Sequence, residues 1–471
     1  MSLWTATEIA AAIGTECPDM DWEVCGISID TRTIQNNELF IALKGNTSDG
    51  TLYVDDAIAK GAAGAIAGKS YNGKYLDKVF RVDDTLVALC ALAAAARARS
   101  HAKIIAVTGS VGKTSTKEML AHSLAAAGRV HATQGNLNNH FGLPLTLARM
   151  PRETEFAVLE MGMNHGGEIT PLTTLAQPDI AIITNVDAVH LEYFENVGAI
   201  ADAKAEILAG LNPDTGIAIL NRDNPHYLRL LGHAHSKQIK NVQSFGSTAE
   251  CDAEVLQAEL TEKQTTVRAR MIDTELTYVI GAPGAHWVPA SLAVLLAATA
   301  LGIPAKTAAT QFITITPPKG RGVIQKLALP DGGMITVLDE SYNASPVSVA
   351  AGLATLGQMP RTDGGRRIAV LGDMLELGPS GPELHRALAG HVVENGIDLL
   401  FCAGPFMREL FENTPPTLRG EWAENSTLLA AALIENLQNG DVLLVKGSRG
   451  MKMEVILTAL SAPTQKASNA L

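Results

Sequence analysis

Between Thr108 and Met119 the chain reads TGSVGKTSTKEM, which sets Gly109, Gly112, Lys113 and Thr114 in the order of a phosphate-binding loop. The usual form, G-x-x-x-x-G-K-[ST], would need a glycine where Val107 stands, so what remains is the shorter G-x-x-G-K-T. The segment lies between an apolar strand, KIIAVTG, and a helix expected to begin near Lys113. In that setting glycines let backbone N–H groups approach phosphate oxygens, and the helix N-terminus adds positive potential. Lys113 would neutralise charge and the Thr114 hydroxyl would reach Mg2+. The plainer alternative is a glycine turn followed by a solvated lysine.

Other chemistry-bearing residues fall at the ends of further apolar runs. FAVLEMG places Glu160 beside the loop if the strands are parallel, where a carboxylate can hold Mg2+ directly or through water; a solvent-facing acid is the alternative. TNVDAVHLEYF invites comparison with the guanine-reading N-K-x-D, but its spacing is one residue short and the lysine is absent, so that reading is rejected. His190 in this segment is followed fourteen residues later by Lys204, on a predicted helix, and their spacing alone supports no site.

These residues need a scaffold. A chain of 471 residues is too long for one core and suggests about three domains. From residue 1 to 84, short strand-like runs such as ELFIAL and the helical YVDDAIAKGA predict a small α/β domain. Residues 85–315 form the expected central domain: a leading helix over 85–100, then KIIAVTG, FAVLEMG, DIAIITNV and GIAILN alternating with helices. This rhythm implies a parallel sheet carrying a phosphate loop. Residues 316–471 predict a Rossmann-like domain with MITVLDE, RRIAVLGDM, DLLFCAG and DVLLVKG as strands. Ligands bind outside the carboxyl ends of such strands, where Thr108, Glu160, Asn185, Asp339, Asp373 and Lys446 all fall. The polar tail after Pro463 is expected to fray.

Composition narrows the class. A net charge of −12 opposes nucleic-acid binding, which needs a basic surface. The five cysteines, Cys17, Cys25, Cys90, Cys251 and Cys402, are odd in number and form no C-x-x-C, so free thiols in a reducing compartment are expected. The N-terminal MSLWTATEIAAAIG lacks a basic leader and reads as a helix with Thr5 and Glu8 spaced as a capping box. The apolar WVPASLAVLLAATALGIPA is broken by Pro289, Gly302 and Pro304, and predicts a buried helix rather than a membrane span. A cytoplasmic monomer is the expectation.

TGSVGKTSTKEM, GNLNNHFGLPLTL, LEMGMNHGGEI, TNVDAVHLEYF, ADAKAEIL, LDESYNASP, VLGDMLELG and VLLVKGSRGMKME occur in the order of the Mur ligases, and the chain resembles that family over nearly its whole length. The resemblance implies ATP-dependent joining of D-alanyl-D-alanine to UDP-N-acetylmuramoyl-tripeptide through an acyl phosphate. It makes G-x-x-G-K-[ST] the family's own loop and implies ATP binding by Gly109, Ser110, Val111, Gly112, Lys113, Thr114, Ser115 and Asn139. Arg321 in PPKGRG matches an arginine that reaches the nucleotide phosphates, and Asp339 an acid that contacts the ribose. Two Mg2+ ions are implied, held by Thr114, Glu160, His190 and Lys204, the last as a carbamate. SIDTRTIQNNELFIALKGNTSDG resembles the segment that holds the UDP end, making Thr31, Arg32, Lys44, Gly45, Asp49 and Gly50 candidates. Asn343, Lys446, Ser448 and Arg449 match positions facing the ligation centre.

Departures from the family pattern are local. G-x-H-N-x-x-N becomes GAHWVPA, so His286 is kept while Trp287 and Ala290 replace the amides; Trp287 would either stack on adenine or fill the core. Asp339-Glu340 replaces a common Asp-Asp, and Ser345 stands at a commonly Asn position. The D-N-P-R that reads diaminopimelate in the ligase adding the third residue is replaced here by SYNASP, and folylpolyglutamate synthetase would not explain the N-terminal segment. A nucleotide-gated binding protein would have little need of Glu160, His190 and Lys204 together, and a simpler kinase or hydrolase would release phosphate without a dipeptide amine.

Overall fold

A computed structural model of the chain describes residues 2–17, 22–45, 48–261, 263–272, 274–329, 332–361 and 364–461. The tail after Pro463 lies outside them, as do Asn46 and Thr47 of the N-terminal candidate segment. Three larger sheets organise the molecule, one in each region that the sequence separates.

The first is a four-stranded parallel sheet in sequence order, Gly26–Ser28, Glu38–Ile41, Gly64–Gly68 and Val79–Val82. The helix Ala6–Ile13 packs on it and starts with the expected capping box: Thr5 Oγ1 accepts from Glu8 N at 3.2 Å, and Glu8 Oε2 accepts from Thr5 N at 3.1 Å. This unit is fastened to the next by Trp4 Nε1, which donates to Ala148 O at 2.9 Å, and by Arg149 Nε, which donates to Ile27 O at 2.6 Å. Leu145 and Ala148 share its apolar core with Ile27 and Leu39.

The central sheet has nine strands. From one edge they run Val130–Ala132, Phe156–Glu160, Lys103–Thr108, Ile180–Ile183, Ile217–Asn221, Asn241–Gly246 and Ala253–Leu260, all parallel. Two further strands, Thr265–Met271 and Thr274–Ile280, close the other edge antiparallel. The parallel portion follows the sequence reading. The antiparallel edge does not, because its strands alternate buried and exposed residues and face water on one side. Apolar clusters cover both faces of the parallel part. The helix Trp287–Ala300 is almost wholly buried in one of them, and Trp287 is fully enclosed there, so it fills the core. Among the described residues no helix is long and apolar enough to cross a membrane.

The third sheet has the order Val323–Ala328, Met334–Glu340, Val442–Lys446, Arg367–Gly372, Leu399–Ala403, Arg419–Ala423. It is parallel except for its first strand, which returns from the linker as a hairpin on the second. Ser345 uses its hydroxyl to cap the helix Pro346–Gln358, accepting from Ser348 N.

Candidate active site

Strand register sets the centre of the site. Thr108, the last residue of its strand, pairs with Ile183, and Val107 pairs with Glu160, so the loop after Thr108 emerges between the ends of two neighbouring parallel strands. Neighbouring chain pins the loop. Ser110 N donates to Asn185 O at 2.8 Å, Ser110 Oγ to Asp187 O at 3.1 Å, and Thr184 Oγ1 to Val111 O at 2.6 Å. Among the described residues the backbone N–H groups of Val111, Gly112, Lys113 and Thr114 meet no acceptor. Four orphaned donors at the start of the helix Lys113–Leu124 form a cradle for an anion.

Gly109 makes this geometry possible. A Cβ there would lie 1.9 Å from Thr184 Oγ1 and 3.1 Å from Asn185 N, on a backbone at φ +154°. Gly109→Ala must therefore displace the loop or Thr184, an overpacking of roughly 1–3 kcal/mol. The variant should melt a few degrees lower and bind a non-hydrolysable ATP analogue at least about tenfold more weakly by calorimetry. Unchanged affinity would mean that the loop is not the phosphate cradle.

Lys113 is half-buried and folds back over the loop, donating from Nζ to Gly109 O at 2.6 Å and Ser110 O at 3.3 Å. Burial pushes its pKa below the usual lysine value; Glu160 opposes that shift and Arg321 adds to it. Glu160 is buried, with Oε2 accepting from Thr114 Oγ1 at 2.9 Å and Oε1 from Asn138 Nδ2 at 2.7 Å. A carboxylate and a hydroxyl in contact beside an anion cradle suit Mg2+, which takes one or two protein oxygens and completes its shell with phosphates and water.

Lys204, on the helix Val197–Ala205, is 2% exposed and is therefore not an ordinary solvated helix lysine. Its ammonium finds no hydrogen-bond partner among the described residues, and burial, with the charge of Lys113, drives its pKa well below the lysine value. His190 lines the neighbouring cavity, and Lys204 is not among the residues of its surface.

That cavity, of about 1140 Å³, lies between the central and third sheets. On the central side it is lined by Ser110 to Ser115, Asn139, Glu160 and His190, and on the other by Arg321, Asn343, Lys446, Ser448 and Arg449. Arg321 and Arg449 both stack on Tyr342, at 4.0 and 4.9 Å from the ring centroid. Lys446 Nζ donates to Asn343 O at 3.0 Å and pairs with Glu340 Oε2 at 2.9 Å. Burial raises the Glu340 pKa, but Lys446 and His286 outweigh it and the net shift is downward.

Besides Gly109 and Lys204, two sets of candidates are not in the cavity lining. Asp339 is buried behind it, accepting from Gly320 N at 3.2 Å, Ser341 N at 3.1 Å and Ser341 Oγ at 2.6 Å, and so anchors the turn that presents Arg321. Thr31, Arg32, Lys44, Gly45, Asp49 and Gly50 belong to the first sheet's loops. There Arg32 pairs with Asp30 at 2.6 Å, and Asp49 accepts from Thr51 N at 2.9 Å. Sequence reasoning missed Asn138, Tyr342 and Glu376. Two adjacent asparagines in GNLNNH give no signal as to which meets Glu160, and a lone tyrosine or glutamate carries no spacing.

Orphaned loop donors and a buried acid on one sheet, facing two arginines and a lysine on another, define a site of the class that holds a nucleotide's phosphates in a cleft between two domains. Family models agree with that class. The Mur ligase middle domain matches residues 107–298, the Mur ligase, glutamate ligase domain matches 325–449, and the Mur ligase family, catalytic domain matches 23–126. The chain belongs to the Mur ligase family. It is 36% identical to the UDP-N-acetylmuramoyl-tripeptide–D-alanyl-D-alanine ligase of Bacillus subtilis over 92% of this chain and 93% of that one. It superposes on MurF from Acinetobacter baumannii with TM-score 0.85 at 28% identity, covering 97% and 98% of the two chains. MurF ligase from Thermotoga maritima in complex with ADP gives 0.78 at 26%, covering 93% and 97%.

Proposed function

We infer that this protein joins D-alanyl-D-alanine to UDP-N-acetylmuramoyl-tripeptide with hydrolysis of ATP to ADP and phosphate, forming the pentapeptide precursor of peptidoglycan. The observation that carries the reading is that the orphaned loop donors and Lys113 face Arg321, Arg449 and Lys446 from another sheet across one cavity. A carboxylate is a poor acylating agent. The tripeptide's terminal carboxylate therefore attacks the γ-phosphorus, the bond to the bridging oxygen breaks, and ADP leaves. The dipeptide amine then attacks the acyl carbon, loses a proton and expels phosphate. Lys113, the loop N–H groups and Arg321 hold the phosphates and offset the repulsion between two anions. Closure of the domains over the bound substrates would keep water from the acyl phosphate.

Thr114 and Glu160 would hold one Mg2+, and His190 with Lys204 a second. These ions would supply positive charge between the phosphates and the incoming carboxylate. Lys204 fits the role as a carbamate. Its buried amine, poorly able to keep a proton, can add CO2 and release H+, becoming an anion that can ligate a cation. Residues 1–84 would bind the UDP end through Thr31, Arg32, Lys44, Gly45, Asp49 and Gly50, residues 85–315 ATP, and residues 316–471 the dipeptide through Asn343, Lys446, Ser448 and Arg449. A cytoplasmic monomer suits these soluble substrates.

Phosphate release measured with ATP, Mg2+, UDP-N-acetylmuramoyl-tripeptide and D-alanyl-D-alanine, each omitted in turn, tests the reading. Release should fall to background in every omission. Release that persists unchanged without the dipeptide would sink the ligase assignment.

A further inference from the structure

His190 and Glu376 belong to different sheets, yet they meet. His190 follows the central strand Ile180–Ile183, and Glu376 follows the strand Arg367–Gly372 of the third sheet. The imidazole Nδ1–H donates to Glu376 Oε2, and Glu192 N donates to Glu376 O at 3.2 Å. Both residues hold left-handed backbone, with φ +58° at His190 and +63° at Glu376. Non-glycine residues rarely adopt that conformation, and where they do the surroundings over-determine it, often at functional sites. A third feature serves the same contact. Gly378 has φ +59°, and a Cβ on it would lie 3.1 Å from Glu192 Cα, so the turn Gly378–Ser380 approaches the turn Leu191–Tyr193 this closely only without a side chain. Both His190 and Glu376 line the cavity.

We propose that Glu376 is a positioning residue for His190. By accepting from Nδ1 it selects the tautomer in which Nε2 carries the available lone pair, and it does so only while the third domain lies against the central one. A ligating histidine commonly has its other nitrogen held by a carboxylate, and losing such a partner weakens metal affinity about 10–100-fold. Here a second domain supplies the partner, so metal affinity depends on docking, and by reciprocity a bound cation favours the docked state. The inference rests on the ligase reading for the identity of the cation.

Mn2+ titration followed by electron paramagnetic resonance, with a non-hydrolysable ATP analogue and no peptide substrate, tests it on four proteins. Glu376→Ala and Gly378→Ala should each bind the weaker Mn2+ about tenfold less tightly than the unsubstituted protein, and scattering should give a larger radius of gyration under the same conditions. Glu376→Gln, whose amide oxygen still accepts from Nδ1, should stay within about twofold. In phosphate release, Glu376→Ala should raise the half-saturating Mg2+ concentration by a similar factor while kcat at saturating Mg2+ changes little. Unaltered Mn2+ affinity in Glu376→Ala overturns the proposal. So does equal weakening in Glu376→Gln, which would make the carboxylate a direct ligand. If the unsubstituted protein releases phosphate without dipeptide, the ligase reading falls, while the Mn2+ series still decides the role of Glu376.

Discussion

Lys113→Ala is expected to lower ATP-dependent phosphate release by about 10²–10³ in kcat, with a higher KM for ATP. In the structure its ammonium rests on Gly109 O and Ser110 O, in the loop whose four N–H groups have no acceptor among the described residues. A phosphate entering that cradle would take over the ammonium from those carbonyls, exchanging neutral acceptors for a charged one, the stronger kind of hydrogen bond. The cations nearby do not substitute for it: Arg321 is held against Tyr342 on the other side of the cavity, and burial drives the pKa of Lys204 well below the lysine value, so it is poorly able to carry a positive charge there. Lys113→Arg keeps the charge but must fit a planar fork where a point charge sits, and it should recover only part of the rate. Steady-state phosphate release across ATP concentrations decides the matter. A Lys113→Ala protein retaining more than about a tenth of the rate would remove Lys113 from the transition state.

The second large effect has opposite signs for activity and stability. Lys204→Met should abolish measurable ligation, because methionine can neither form a carbamate nor ligate as an anion. In nucleotide-free, CO2-free buffer at neutral pH the same variant should melt at a higher temperature than the unsubstituted protein. The sign follows from linkage. Burial pushes the folded-state pKa of Lys204 well below 10.5, while the unfolded chain keeps its proton up to the ordinary lysine range. Between those two values the unfolded state binds more protons, so stability rises with pH across that window. Below the window the folded protein must bury an unpartnered ammonium. Methionine is of similar shape and has no proton to lose, so the variant should lack this pH-dependent increment. Melting curves from neutral to alkaline pH measure it. Full activity in Lys204→Met sinks the carbamate, and a lower melting temperature at neutral pH sinks the desolvation account.

Much of this centre is legible in TGSVGKTSTKEM and the strand ends around it. An apolar run buried on both faces, then glycines, then a helix, can fold in few ways, and parallel pairing then brings the ends of neighbouring strands together. Glu160 was placed beside the loop by that logic, and the register of Val107 with Glu160 puts it there. The antiparallel edge strands, with their half-exposed alternation, escaped it. Trp287 was open between stacking and packing, since an indole suits either, and only the surrounding apolar side chains decide for the core.

The sequence by itself determined the phosphate loop, the division into three α/β regions, the acidic balance that opposes nucleic-acid binding and, through eight ordered segments, the family. Those are properties of local spacing and periodicity, which a linear chain carries intact. Tertiary structure alone decided which asparagine meets Glu160, that Lys204 is buried without a partner, that Asp339 anchors the Arg321 turn, and that Glu376 reaches His190 across two domains. Burial and contact between residues as far apart as 190 and 376 depend on how the sheets pack against one another, and no short-range pattern encodes that distance.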